Sequence, residues 1–419
     1  MQMQVLIKNI NVISMRSNEI RYGQDLLLVD GKIARIGRDI TEAGIHATAI
    51  DEKNIDRVID GSGLYAMPAL FDAHVHIDTS EMCDLFIANG VTAVRNMSGT
   101  PRTMEYEAEI RAGKRVGPYI YSSSPIYNHN DDGRHVGITT EADADRAIQD
   151  TIDHRYLWIK TYPNIPKKTY IYLLKEAEKA GLRLCGHMAV ELGAKELTDL
   201  GYYCCEHISS MPSHHADIEY MAKGGMWLCP THLVCTTLLD YVWGDKKMSD
   251  DPNWQYVPER NRAHWEKESA ENAAYYKAKN IHPDFSMIYR PVQAFLKYSD
   301  RLIVGTDTMY PPLIAGFSLH EELEKMVTVY GLTPYQALYA ATAATARHIG
   351  IDDRKGLLKE GMDSDILILR ENPFRDIRNT RSIETVIQGT RIYDRPALDA
   401  LLDKVRDLKD EDLEILEQN

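Results

Sequence analysis

Between about Ala66 and Thr306 the chain alternates short apolar runs with longer helical stretches, and this alternation restricts the fold more than any other feature. The runs lie at 69–77, 91–96, 119–122, 156–161, 183–187, 203–207, 226–230 and 302–306. Helical patterning occupies 141–153, 168–180, 194–200, 259–278, 291–298 and 319–330, with Thr140 and Asp143 placed to cap the first of these. Eight apolar runs separated by helices predict a parallel sheet closed into a (β/α)8 TIM barrel, an α/β fold.

Strand-like texture flanks this block on both sides. Asp25-Leu-Leu-Leu-Val, Asp30-Gly31 and Lys32-Ile-Ala-Arg-Ile read as a hairpin on an Asp-Gly turn. Asp365-Ile-Leu-Ile-Leu and the stretch 382–393 resemble the opening residues. The expectation is a small β-sandwich domain built from residues 1–65 and 352–396, with the barrel of residues 66–351 inserted. Residues 397–419 form a C-terminal amphipathic helix, with Leu398, Leu401, Leu402, Val405 and Leu408 on one face. Docking of that face on its own chain is the preferred reading, and docking on a second subunit leaves a homo-oligomer open. Residues 241–256, with Trp243 and Trp254, read as an insertion able to cover a pocket.

Composition removes several partners. The 419 residues carry a formal net charge of −14, which argues against nucleic acid and anionic membranes. No run approaches the apolar length of a membrane span, and the first residues lack the pattern of a secretory signal. Six scattered cysteines do not make a disulfide framework and read as free thiols in a reducing, cytoplasmic setting.

The chemistry sits where the apolar runs end. In Phe71-Asp-Ala-His-Val-His-Ile, His74 and His76 are two apart, so on a strand both point to one side. Lys160, His187, His207 and Asp307 each terminate a later run, which is where barrel enzymes hold their active sites. One such residue is an ordinary polar group at a strand end; six in succession are a constellation. Imidazole and carboxylate suit zinc and similar divalent ions, whereas an ammonium does not. Lys160 must therefore lose its charge, and carbamylation by carbon dioxide would turn it into a carboxylate able to bridge two metal ions. Two ions can share and activate a hydroxide, and Asp307 can take its proton and pass it to the leaving group.

The pattern resembles the amidohydrolase superfamily over nearly the whole chain. The matching pieces are Asp72-Ala-His74-Val-His76, Ile159-Lys160, Gly186-His187-Met, Glu206-His207 and Gly305-Thr-Asp307. The later segments Leu332-Thr-Pro-Tyr-Gln-Ala-Leu-Tyr-Ala-Ala-Thr and Gly361-Met-Asp-Ser-Asp-Ile-Leu-Ile-Leu match as well. The similarity is greatest to the imidazolonepropionase-like branch, which contains metal-dependent Xaa-Pro dipeptidases. The resemblance implies that His74, His76 and Asp307 bind the more buried metal. It implies further that carbamylated Lys160 bridges, and that His187 and His207 hold the second ion. Two departures are visible. Pro68-Ala69 replaces the usual Pro-Gly, and Thr161-Tyr-Pro-Asn-Ile-Pro replaces small, glycine-rich residues beside the site.

Further candidates surround this set. His135 sits where such relatives place a substrate-binding histidine and is taken as catalytic and substrate-binding. Arg134 can grip a carboxylate, and Tyr162 and His232 are placed to line the pocket. His320 reads as structural, and His214-His215 as a loop pair whose position near the mouth keeps a role open. The expected function is metal-dependent cleavage of an amide, dipeptide-like peptide or cyclic amide C–N bond in a small molecule. The expected cofactors are two divalent ions, zinc first among them, with carbamylated Lys160. The alternatives are a mononuclear deaminase or imidazolone-type ring hydrolase, and a non-catalytic scaffold relative. Against the deaminase, the glutamate expected three residues after His187 is Val190 here.

Overall fold

The computed structural model describes residues 3–40, 55–243, 247–279, 285–308 and 310–416. Among these residues the chain is an α/β fold with two parallel sheets and one mixed sheet.

The mixed sheet has eight strands drawn from both ends of the chain. Gln4–Ile13, Ile20–Val29, Lys32–Gly37, Arg57–Asp60 and Tyr65–Pro68 come from the start. Ile366–Leu369, Ile383–Gln388 and Arg391–Asp394 come from the end. The two groups meet where Ile366 and Leu367 pair antiparallel with Pro68 and Met67. The Asp30-Gly31 turn takes the left-handed conformation at both positions, φ 48° and 76°, as a two-residue hairpin loop between Val29 and Lys32 requires. Ile7, Ile10, Leu26, Ile33, Ile366 and Ile387 pack into a core that belongs to this sheet alone.

The first parallel sheet joins Leu70–Val75, Val91–Asn96 and Tyr119–Ser122. The second runs Val136–Gly137, Ile126–Asn128, Ile159–Thr161, Leu184–Gly186, Cys204–Glu206 and Trp227–Cys229. Apart from Val136–Gly137 these strands are buried on both faces and largely apolar, with Asp72, His74, Arg95, Lys160 and Glu206 among the buried polar exceptions. Backbone bonds connect the two sheets at both margins. Ser124 N donates to Trp158 O at 2.8 Å, and Leu157 N donates to Ser122 O at 2.9 Å. At the other margin Ile303 N donates to Leu228 O at 3.0 Å, and Ala73 N donates to Val304 O at 2.8 Å.

Several expected elements occur with shifted bounds. The last run, 302–306, contributes an isolated parallel bridge at Leu302, with a second at Thr308 just beyond it, and no continuous strand. Ile126–Asn128 and Val136–Gly137 were not foreseen; they are the two ends of a loop that leaves the sheet and returns beside its own start. Pro291 lies inside the helix Phe285–Phe295, where the sequence reading had it open one. Thr140 does cap Glu141–Asp153, accepting from Asp143 N while Asp143 returns the bond.

The tail helix is shorter than 397–419. It spans Arg395–Arg406, with Asp394 accepting from Ala397 N at its start. It lies on its own chain, with Leu398 and Val405 buried and Lys404 Nζ 2.6 Å from Asp84 of the helix Glu81–Ala88. Residues 417–419, and 244–246 of the expected 241–256 insertion, lie outside the described residues. No helix among the described residues is long and apolar enough to cross a membrane.

Candidate active site

Strand alternation puts Asp72, His74 and His76 on one side of Leu70–Val75 and its extension. Asp72 anchors this edge, accepting from Thr306 N at 3.0 Å and Thr306 Oγ1 at 2.8 Å. Burial pushes its carboxyl up to about 7, with the Thr306 bonds opposing. The adjacent Gly305 is required by packing. A Cβ there would lie 2.5 Å from His74 N and 2.8 Å from Cys229 Sγ. The chain can therefore bring Asp307 against His74, whose carbonyl accepts from Asp307 N at 2.7 Å.

All six ligand candidates meet at this point. Asp307 Oδ1 lies 3.1 Å from His76 Nε2 and 3.3 Å from His74 Nε2, and its Oδ2 lies 3.6 Å from His207 Nδ1. Lys160 Nζ, fully buried, is 3.4 Å from His74 Nε2. The His187 ring lies 4.4 Å from that of His207, centroid to centroid. Gly186 lets Lys160 and His187 come this close, since a Cβ there would sit 2.2 Å from Thr161 O. His207 and Asp307 hold left-handed backbone, φ 69° and 67°, and Thr231 joins them at 43°. Such conformations cost about 1–3 kcal/mol each and mark sites where geometry is imposed for a purpose.

Electrostatics favour neutral imidazoles at His74, His187 and His207 and loosen the hold of Lys160 on its proton. Burial pushes His74 and His207 well below the usual histidine range and His187 to about 3, with Lys160 as a further cause. Burial also lowers Lys160, opposed in part by Glu206 and Asp307. Neutral histidines coordinate metals, and a neutral amine is the form that carbon dioxide carbamylates. The Nδ1 of His187 is buried without a hydrogen-bond partner among the described residues. Donor atoms of His74, His76 and Asp307 lie within 4.8 Å of one another, as a cation requires. His74, Glu206 and Cys229 do so as well. That second triad is a poor cation site, because Arg95 Nη2 already holds both Glu206 oxygens, at 2.6 and 2.7 Å.

Glu206 and Arg95 are functional candidates that the sequence reading did not single out. The signal was present as single charges in otherwise apolar runs, Val91–Asn96 and Cys204–Glu206. Burial tends to raise the Glu206 carboxyl, but the charges of Arg95 and Lys160, with the Arg95 hydrogen bonds, together outweigh it and hold the group below its ordinary value.

A cavity of about 1310 Å³ opens above the cluster, lined by His76, His187, His207 and Asp307. His135, Arg134 and Tyr162 also line it. His135 is held by Asp132 at 2.8 Å, and its ring lies 4.6 Å from Tyr162, which lies 4.3 Å from His187. His232 is not among the lining residues. It starts the helix His232–Trp243, its ring held 2.9 Å from Tyr330 OH and its N–H donating to Glu322. The turn after Cys229 directs it into the helix layer, so its place in a substrate pocket is corrected. Nor do the described residues of 241–256 line the cavity; the helix Glu259–Ala278 does, through Arg260, His264, Trp265 and Glu268. His320 is buried against Thr380 and Asn89, and His215 bonds Tyr298 on the outer face. All six cysteines are free.

A family model described as the amidohydrolase family matches residues 65–392. The chain is 26% identical over 203 residues to an adenine deaminase of Listeria welshimeri serovar 6b, a stretch covering 44% of this chain and 32% of that protein. The chain thus spans about a third of the length of that curated relative. Among solved structures, a Xaa-Pro dipeptidase with methionine bound in its active site superposes with a TM-score of 0.70 at 18% identity, covering 93% of this chain and 100% of that one. The ochratoxinase of A. niger superposes at 0.72 with 19% identity, covering 94% and 96%. At these identities the two structures establish a common fold.

Proposed function

The chain belongs to the amidohydrolase family, and from that premise we propose that it hydrolyses an amide, peptide or cyclic amide C–N bond of a small molecule. The observation that carries this reading is the convergence of His74, His76 and His207 on Asp307, with buried Lys160 beside His74. The bonds that join the two parallel sheets at both margins support a (β/α)8 barrel over 66–351, with the cluster at its C-terminal mouth. The eight-stranded sheet of 1–65 and 352–396 would fold over its own core as a sandwich.

The donor set fits divalent cations, zinc among them. His74, His76 and Asp307 would hold one, His187 and His207 a second, with Lys160 bridging as its carbamate. Such ions supply Lewis acidity at a carbonyl oxygen and acidify a water. The protein's own groups do the rest. Asp307 accepts the proton of the attacking water as oxygen adds to the carbonyl carbon. It returns that proton to the amine nitrogen as the C–N bond breaks. His135, Arg134 and Tyr162 orient the substrate from the loops after the third and fourth barrel strands. The helix Glu259–Ala278 shields the cavity from bulk water.

The test is a panel of dipeptides, N-acyl amino acids and cyclic amides under defined metal loading. Hydrolysis should appear in the unmodified protein and fall by about 10²–10⁴ in Asp307→Asn. No turnover of any member would count against the reading. The adenine deaminase relative favours deamination as a second reading. Val190 weakens it: this residue stands three after His187 and is 70% exposed, while Glu191 is occupied in accepting Lys167 N at 2.8 Å. Ammonia release from a nucleobase panel would restore it.

A further inference from the structure

We propose that Ile415 is a specificity-determining residue, the apolar wall of a subsite that receives an aliphatic or aromatic group of the substrate. The inference rests on the hydrolase reading of the cavity and adds an element that lies more than a hundred residues beyond Asp307. After the tail helix the chain turns back across the fold, and Ile415 lines the main cavity together with His76, Asp78 and Thr100.

The position of Ile415 is fixed from both sides. It forms an antiparallel bridge with Thr79. Ser80 N donates to Glu414 O at 3.0 Å, and Leu416 N donates to Asp78 O at 2.7 Å. On the far side Thr100 Oγ1 donates to Leu416 O at 2.7 Å. The Glu414 carboxylate pairs with Arg115 at 2.8 Å and with Arg102. Leu416 is fully buried. Side chains alternate along an extended segment, so with Glu414 and Leu416 tied down on one side, Ile415 is directed to the other.

This strap therefore lies against the loop that carries His76 and ends in the cavity wall. It also reaches the opposite wall, since Asp410 Oδ2 accepts from Arg260 N at 2.8 Å, at the start of the helix Glu259–Ala278. Trp265 of that helix lines the same cavity. An Ile side chain held by this many polar anchors offers a substrate dispersion and desolvation and no charge or hydrogen bond. The matching group on the substrate is apolar.

The experiment compares unmodified protein with Ile415→Ala and Ile415→Trp on two series. One is dipeptides whose side chain at either position grows from glycine through alanine and leucine to phenylalanine, read as kcat/KM. The other is the free amino acids with those side chains, read by calorimetric binding, which needs no turnover. Ile415→Ala should shift preference toward the bulkier members by about 10-fold or more, and Ile415→Trp should shift it toward the smallest. Metal content and melting temperature should match the unmodified protein in at least one of the two variants. Preferences unchanged in both series, or no binding of any amino acid to the unmodified protein, overturn the subsite. Absent hydrolysis with a shifted binding series would defeat the hydrolase reading and leave the subsite standing.

Discussion

His74 Nδ1 lies 2.8 Å from Glu206 Oε2, with both side chains fully buried. Because Arg95 keeps this carboxylate ionised, the tautomer it selects is Nδ1–H, which turns the lone pair of Nε2 toward Asp307 and Lys160. The orientation of His74, a fully buried ligand candidate, is thus set by a charge pair beside it.

Glu206→Gln keeps the shape and removes the charge. Metal affinity should fall by about 10–100-fold in chelator competition, with the circular dichroism spectrum retained. An unchanged affinity would show that Glu206 serves packing alone.

Arg95→Met leaves Glu206 as a buried carboxylate without its guanidinium. Urea unfolding should show a loss of about 3–5 kcal/mol. Replacing both partners by apolar residues, Arg95→Met with Glu206→Leu, should recover part of that loss, since neither charge then remains unpaired. A double variant no more stable than Arg95→Met would argue against the pair as the cause.

Gly305→Ala drives a Cβ to 2.5 Å from His74 N and 2.6 Å from His74 Cβ. Stability should drop by about 1–3 kcal/mol, and turnover should fall as His74 is displaced. Gly193→Ala, where nothing lies within 4 Å, is the control and should leave turnover unaltered.

Glu322 gives a pH signature apart from the histidine cluster. Burial raises its carboxyl from 4.5 to about 8, although Leu233 N and His232 N donate to it. A raised folded value means the native state binds the proton more tightly. The associated stability is present below pH 4.5 and is lost as pH rises through about 8. Asp72 and Glu81, also raised to about 7, titrate in the same window, so the signature is the difference: from pH 5 to 9 the melting temperature of the unmodified protein should lose ground relative to that of Glu322→Gln. That variant should also sit lower at pH 5, by about 1 kcal/mol, because one backbone donor loses its acceptor. Parallel curves for the two proteins would reject Glu322 as the titrating group.

The sequence carried the meeting of His74, His76, Lys160, His207 and Asp307 because each ends an apolar run, and parallel packing brings such ends together. It carried the two-ended sheet because Asp365–Leu369 repeats the opening texture. It did not carry His232, since a residue just past a strand can turn into the cavity or into the next helix, and only the path of the chain decides. Glu206 and Arg95 were hidden for a related reason. A lone charge in an apolar run gains its meaning from a partner on another strand, 111 positions away here. The strap at Ile415 depends on contacts with Thr79 and Thr100, which no local pattern announces.

Metal content of the purified protein beside Lys160→Ala tests the central claim most directly. The account predicts about two divalent ions per chain in the unmodified protein, with both content and turnover falling sharply in Lys160→Ala. A Lys160→Ala protein with the same metal content and the same turnover would contradict it.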